Sequence, residues 1–199
     1  MVGVSDRLIL LCSLCYTDFN RIRGRKHKHP FRERSIPFYP MVDNQTIFGD
    51  YLSLASSGSF SKLPYLSGYN NHEQGYHVIP AFAQGRNVTA AQTDQFPLES
   101  FVCPHSYEAT QRGKAEVQAW VYRYFGDWSN TRLYPTSGAY HGTELHMILG
   151  SSEDASGLPA TQVQKDTPRL FQRAVAAFVE NPKNWLDKFW LVSIRHEPD

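Results

Sequence analysis

The sequence of 199 residues has no long apolar run. The run at residues 8–15 is eight residues long, whereas a membrane-spanning helix needs about 20. The sequence therefore predicts no membrane span. Asp6 and Arg7 precede this run and Asp18 follows it, which departs from the pattern of a secretory signal peptide. Two Asn-x-Thr sequons, at Asn44 and Asn87, are typical of secreted proteins. They favour secretion of a longer protein to which this chain would belong, and they leave the location of the 199-residue chain itself open.

Cysteine is scarce, since the chain has only Cys12, Cys15 and Cys103. At least one of them is left unpaired, so they specify no disulfide framework. Cys12 and Cys15 are followed by His27 and His29, but these histidines are one residue apart where a zinc finger has three to five.

A second metal-like pattern also fails by its spacing. His72 and Glu73 precede His77, whereas the zinc-protease helix needs its two histidines four residues apart on one face. The sequence therefore predicts no metal site.

Positive charge is concentrated at the start of the chain. Residues 1–34 carry eight of the 20 Lys and Arg but three of the 19 Asp and Glu. The basic stretch within it, residues 21–34, has no hydrophobic period, and like charges so close together repel one another. We expect a disordered or non-native tail over residues 1–34 and a globular part over 35–199. A basic arm of this kind can also bind polyanions, although we expect no nucleic-acid partner.

Beyond the tail, hydrophobic patterning predicts alternating helices and strands. Residues 63–68 read as a buried parallel strand, and residues 119–125, rich in aromatic and β-branched side chains, as a second strand. Because helices are the usual connection between parallel strands, the order helix, strand, helices, strand, helix predicts the α/β class. The first predicted helix covers 52–58, and helical pieces at 93–100 and 106–117 are interrupted by Pro97, Pro104 and Gly113. A polar connector at 151–159 precedes the last predicted helix, 166–180.

Two loops follow the two predicted strands, and active groups in open α/β sheets collect at the carboxyl ends of strands. Glu73 lies in the first loop and His141 in the second. A carboxylate that accepts the imidazole Nδ1 proton leaves Nε2 free to take a proton from a nucleophile. The sequence thus predicts Glu73 and His141 as an acid and base pair. Glu144 either orients this histidine or its loop, or makes a contact within the loop or at a helix start. Asn70 and Asn71 are predicted to supply turn conformations.

Four blocks of sequence occur in an order typical of one family. They are Phe-Tyr-Pro-Met-Val-Asp at 38–43, Gly-Tyr-Asn-Asn-His-Glu-Gln-Gly at 68–75, Tyr-Arg-Tyr-Phe-Gly-Asp-Trp at 122–128 and Gly-Ala-Tyr-His-Gly-Thr-Glu-Leu at 138–145. In this order they resemble the C-terminal part of the type-B carboxylesterase family, which also contains fungal lipases and cholinesterases. The resemblance covers about residues 36–182.

The resemblance implies a partial α/β-hydrolase fold, formed by the C-terminal part of a mostly parallel sheet with flanking helices. Residues 35–199 would then be the C-terminal part of a type-B carboxylesterase domain. By the same resemblance, Glu73 and His141 match the acid and base of a Ser-Glu-His triad. Intact relatives hydrolyse small-molecule or lipid esters through a serine acyl-enzyme and use no metal or organic cofactor.

The sequence lacks the motifs that would supply the nucleophilic serine and the oxyanion hole. It contains no Gly-x-Ser-x-Gly and no adjacent pair of glycines, the patterns of the nucleophile elbow and the oxyanion loop. We therefore expect a fragment that is inactive by itself. Two alternatives stay open: a non-catalytic interaction protein with a basic polyanion-binding arm, and a product that never folds stably because half a sheet exposes an unpaired edge.

Overall fold

The structure is a computed structural model that describes residues 41–89 and 93–184. The predicted basic tail at 1–34 lies outside the described residues, and so do Cys12, Cys15 and the first half, 38–40, of the block at 38–43.

Short helices and two strands alternate along the described chain. The first part contains helix α1 at Tyr51–Ser56, strand β1 at Tyr65–Asn70, helix α2 at Gln74–His77 and helix α3 at Ile79–Ala83. Helix α4 at Gln95–Pro97 passes through a π-helical turn at Leu98–Val102 into helix α5 at Cys103–Lys114. Strand β2 at Ala119–Tyr124 is followed by a 3₁₀ turn at Ser129–Thr131, helix α6 at Thr143–Leu149, helix α7 at Ser152–Ser156 and helix α8 at Gln162–Glu180. None of the helices in the described ranges is long and apolar enough to cross a membrane.

Strands β1 and β2 pair in parallel, with Tyr65 opposite Ala119 and Asn70 opposite Tyr124. Both predicted strands are confirmed, but β1 begins two residues later than expected and runs through Gly68 instead of ending there. Gly68 fits this position because a Cβ would overlap the ring of Tyr122 across the pair. Mixed helices around a small parallel sheet are compatible with a partial α/β fold.

The predicted interruptions at Pro97, Pro104 and Gly113 are wrong, because the chain is helical from Gln95 to Lys114. Pro97 stands in the first turn of this helical stretch, where a proline is tolerated, and Pro104 directly follows the π-helical turn in the first turn of α5. The π-helical turn between them absorbs the change of register. As a result this long helical segment passes next to the loop that follows β1.

Helix α8 begins at Gln162, before the predicted start at 166 or 167, and ends at Glu180 as predicted. Its first turn is capped by Thr161, whose side chain accepts a hydrogen bond from the Gln164 N–H at 3.2 Å. The predicted connector at 151–159 is also wrong, since helix α7 lies inside it. Helix α8 covers one face of β2 through ring contacts of Phe171 with Tyr122 and Phe178 with Trp120, at 5.1 and 5.8 Å between centroids.

A small buried core lies under the loop that contains His141. Tyr124, Ala139 and Met147 form it, with Tyr122 and Trp128 packed against it. The Trp128 indole N–H donates to the Tyr124 hydroxyl at 2.9 Å. Burial and the nearby charge of Glu144 raise the pKa of Tyr122 to about 12. Through this core, β2, the 138–142 loop and α6 pack against one another.

Candidate active site

Two segments meet at the carboxyl edge of the sheet: the acid segment, residues 70–75, and the histidine segment, residues 134–144. The His72 N–H donates to the Ala139 carbonyl at 3.0 Å, and its ring Nδ1 lies 2.6 Å from the Ser137 carbonyl oxygen. Gly138 has a φ of +60°, and a Cβ there would lie 2.8 Å from the His72 ring. Glycine therefore allows the two segments to approach closely.

The structure brings the predicted pair Glu73 and His141 together. The His141 Nδ1 lies 2.7 Å from Glu73 Oε2, the length of a charge-assisted hydrogen bond. The Glu73 side chain is 3 % exposed and the His141 side chain 49 %. A buried carboxylate thus orients a ring whose other side reaches solvent. This is the geometry that a general base requires.

Glu73 is held from a second direction as well. Its Oε1 accepts a hydrogen bond from the Asn70 main-chain N–H at 2.6 Å. Because a buried carboxylate is costly unless each oxygen has a partner, the two bonds together allow Glu73 to remain buried. They also fix the plane of the carboxylate that faces His141.

The prediction that Asn70 only supplies a turn is wrong. Asn70 is the last residue of β1, is 2 % exposed, and donates through Nδ2 to the Tyr140 carbonyl at 2.8 Å and to the Glu144 carboxylate. Glu144 lies in the first turn of α6, where its carboxylate accepts this hydrogen bond from the Asn70 amide. Asn71 is exposed, and its N–H donates to the Tyr124 carbonyl at 2.7 Å.

Aromatic rings surround His141, and no pattern in the sequence predicted this arrangement. Ring centroids of Phe101, His77 and Tyr76 lie 5.3, 5.8 and 6.4 Å from that of His141. Phe96 packs on both His77 and Phe101, at 4.6 and 5.7 Å. The π-helical turn contributes Phe101, and the contact depends on residues far apart in sequence.

His77 is the neighbouring histidine whose titration differs from that of an ordinary imidazole. Loss of water around the ring lowers the pKa of His77, the charge of His141 lowers it further, and Glu73 opposes the shift. Protonation of His77 is therefore disfavoured in the folded chain.

We expect His77 to protonate, in an NMR titration of the folded chain, at a pH below the ordinary histidine pKa of about 6.5. The folded state then binds fewer protons than the unfolded state. The stability that His77 contributes is complete above the ordinary pKa and is lost as pH falls through the folded value. In urea unfolding, His77→Gln should remove the contribution of His77 to the pH dependence of the free energy of unfolding. His146→Gln is the control and should leave that contribution in place. A His77 pKa at or above the ordinary value would contradict this expectation.

Within residues 41–89 and 93–184, no group of three or more His, Cys, Asp or Glu side chains could hold a metal ion. His72, part of the zinc-like spacing, uses Nδ1 on the Ser137 carbonyl.

Two curated proteins are similar to this chain, and no protein-family model matches it. The chain is 31% identical over 149 residues to a chlorogenic acid esterase of Aspergillus niger, and the alignment covers 74% of this chain and 28% of that protein. It is 28% identical over 157 residues to secreted lipase 5 of Gibberella zeae, and this alignment covers 74% of this chain and 29% of that protein. The chain thus spans less than a third of the length of these relatives. The similarity thus relates this chain to two proteins whose names are those of an esterase and a lipase.

Proposed function

We propose that this chain supplies the acid and the base of a Ser-Glu-His triad in a type-B carboxylesterase or lipase. Glu73 is the acid and His141 the base. The observation that carries the proposal is the 2.7 Å contact between His141 Nδ1 and Glu73 Oε2. The carboxylate in this contact is buried, and the imidazole is half exposed.

In the proposed reaction neutral His141 carries its proton on Nδ1, where Glu73 accepts it in a hydrogen bond. The bare Nε2 takes the proton of a serine hydroxyl as that oxygen bonds to the ester carbonyl carbon. The resulting imidazolium is stabilised by Glu73, and Nε2 then returns the proton to the departing alcohol oxygen. Water repeats the cycle on the acyl-enzyme and releases the acid.

The fold and boundaries that go with this proposal are those of an α/β-hydrolase. Residues 35–199 would form the C-terminal part of its domain, with β1 and β2 as neighbouring parallel strands. The two strands pair in register, and the segments that follow them meet at one edge, which supports this assignment. The nucleophile and the oxyanion hole would come from a segment outside the 199 residues, because these contain no Gly-x-Ser-x-Gly.

The substrates would be small-molecule or lipid esters. The names of the two relatives, an esterase and a lipase, support this class. The ring cluster of Phe96, Phe101 and Tyr76 beside His141 provides an apolar surface next to the base.

A fluorophosphonate probe, which labels activated serines, tests the proposal. We expect no labelling of the 199-residue chain and no turnover of p-nitrophenyl acetate that depends on His141. A longer protein, extended through the coding sequence directly upstream to an in-frame Gly-x-Ser-x-Gly, should be labelled. Labelling of the 199-residue chain, with turnover that His141→Ala abolishes, would contradict the proposed source of the nucleophile. A folded extended protein that is neither labelled nor active would contradict the triad.

A further inference from the structure

We propose that Asn70 is a positioning residue that sets the alignment of Glu73 with His141. The inference rests on the proposed function for the roles of that pair. Asn70 contacts both halves of the site: its main-chain N–H donates to Glu73 Oε1 at 2.6 Å, and its side chain donates to the Tyr140 carbonyl at 2.8 Å. One residue at the end of β1 thus holds the acid directly and holds the base through the peptide that precedes it.

The chemistry of the site selects an amide at position 70. The Nδ2 nitrogen has two hydrogens, and both acceptors that it reaches, the Tyr140 carbonyl and the Glu144 carboxylate, belong to the histidine segment. An aspartate would present only acceptors to these oxygens, and an apolar residue would remove the donor that Glu144 receives from β1 and leave the Tyr140 carbonyl with its local bond from the Thr143 N–H. The Asn70 Oδ1 is buried without a hydrogen-bond partner among the described residues, so the side chain serves here as a donor.

The position of the Tyr140 carbonyl matters because His141 is the next residue. The stretch between Gly138 and Gly142, whose φ values are +60° and +86°, has local hydrogen bonds from the Tyr140 N–H to the Gly138 carbonyl at 2.9 Å and from the Thr143 N–H to the Tyr140 carbonyl at 3.0 Å. The bond from the Asn70 side chain adds a link from the Tyr140 carbonyl to the end of β1, and so positions the turn that carries the imidazole relative to Glu73. A shift of a few tenths of an ångström there weakens the hydrogen bond between Nδ1 and Oε2.

The state of the His141 ring reports this alignment and requires no turnover. In the ¹⁵N-histidine-labelled 199-residue chain, we expect neutral His141 to carry its proton on Nδ1 and to show a strongly downfield Nδ1 proton signal. Asn70→Ala should lose this signal, and the ring should shift toward the tautomer protonated on Nε2. Asn70→Ser, whose hydroxyl donates a single bond, should fall between the two and is the variant to use if Asn70→Ala does not fold.

Tyr134→Phe is the matched control. It deletes a buried hydrogen bond between the same two segments, from the Tyr134 hydroxyl to the Gly75 carbonyl at 2.7 Å, without touching Glu73 or His141. We expect it to lower the melting temperature, as Asn70→Ala does, and to leave the His141 spectrum unchanged. Equal loss of the His141 signal in both variants would reduce Asn70 to a general structural role and overturn the inference.

The same spectra separate failure of this inference from failure of the proposed function. If His141 of the unmodified chain carries its proton on Nε2, the pair with Glu73 is not formed and the proposed function fails. If the unmodified chain shows the Nδ1 proton and folded Asn70→Ala shows it equally, only the positioning role of Asn70 is overturned.

Discussion

His141→Ala is expected to lower kcat for p-nitrophenyl acetate on the order of 10⁶-fold in a protein that joins this chain to a Gly-x-Ser-x-Gly nucleophile. The residual rate should be that of binding and the oxyanion hole alone, because the serine then has no group to take its proton. The structure supports so large an effect because Glu73 Oε2 is 2.7 Å from the His141 Nδ1. Steady-state kinetics with matched active-site titration measure the loss.

His77→Ala is the control for this measurement. Its ring lies 5.8 Å from that of His141 and, among the described contacts, the bond to the Glu73 carboxylate is made by His141. We expect this variant to keep most of its turnover. A loss below about 10²-fold for His141→Ala, the lower end of what general acid–base catalysis contributes, would contradict the assignment of His141 as the base. Equal losses in both variants would point to disruption of the ring cluster.

The parts of the fold that were predictable are those specified by local sequence. The run Ala119–Tyr124 combines aromatic and β-branched side chains before a glycine, and it forms β2. The contact of Glu73 with His141 could be anticipated because two residues that follow neighbouring parallel strands reach the same edge of the sheet. Their catalytic roles remain predictions.

The parts that were missed depend on contacts between distant residues or on one unusual turn. Asn70 resembles any turn asparagine in sequence, and its role appears only when Tyr140, 70 residues later, reaches its amide. Pro97 and Pro104 indicate helix breaks, yet the π-helical turn between them keeps the segment helical and carries Phe101 to His141. The predicted start of the last helix, at 166, is likewise late, because α8 begins at Gln162 after its Thr161 cap.

Gly75→Ala is expected to lower the free energy of unfolding by about 3 kcal/mol, the upper range for overpacking a tight interior site. A Cβ at Gly75 would overlap the Ser137 carbonyl oxygen and would lie 3.0 Å from both the His72 ring and the Tyr140 Cβ. These atoms cannot easily yield, because the Ser137 carbonyl is held at 2.6 Å from His72 Nδ1. Urea unfolding of the 199-residue chain, followed by tryptophan fluorescence, measures the change.

Gly113→Ala separates this steric effect from the general effect of removing a glycine. Gly113 lies in helix α5, and a Cβ there meets nothing within 4 Å, so alanine should raise the free energy of unfolding by up to about 1 kcal/mol. Neither glycine has a positive φ, which removes backbone strain as an explanation for a difference between them. Opposite signs in the two variants would therefore show that Gly75 is required by the close approach of the acid and histidine segments. A gain in stability for both would mean that the two segments pack less tightly than their hydrogen bonds indicate.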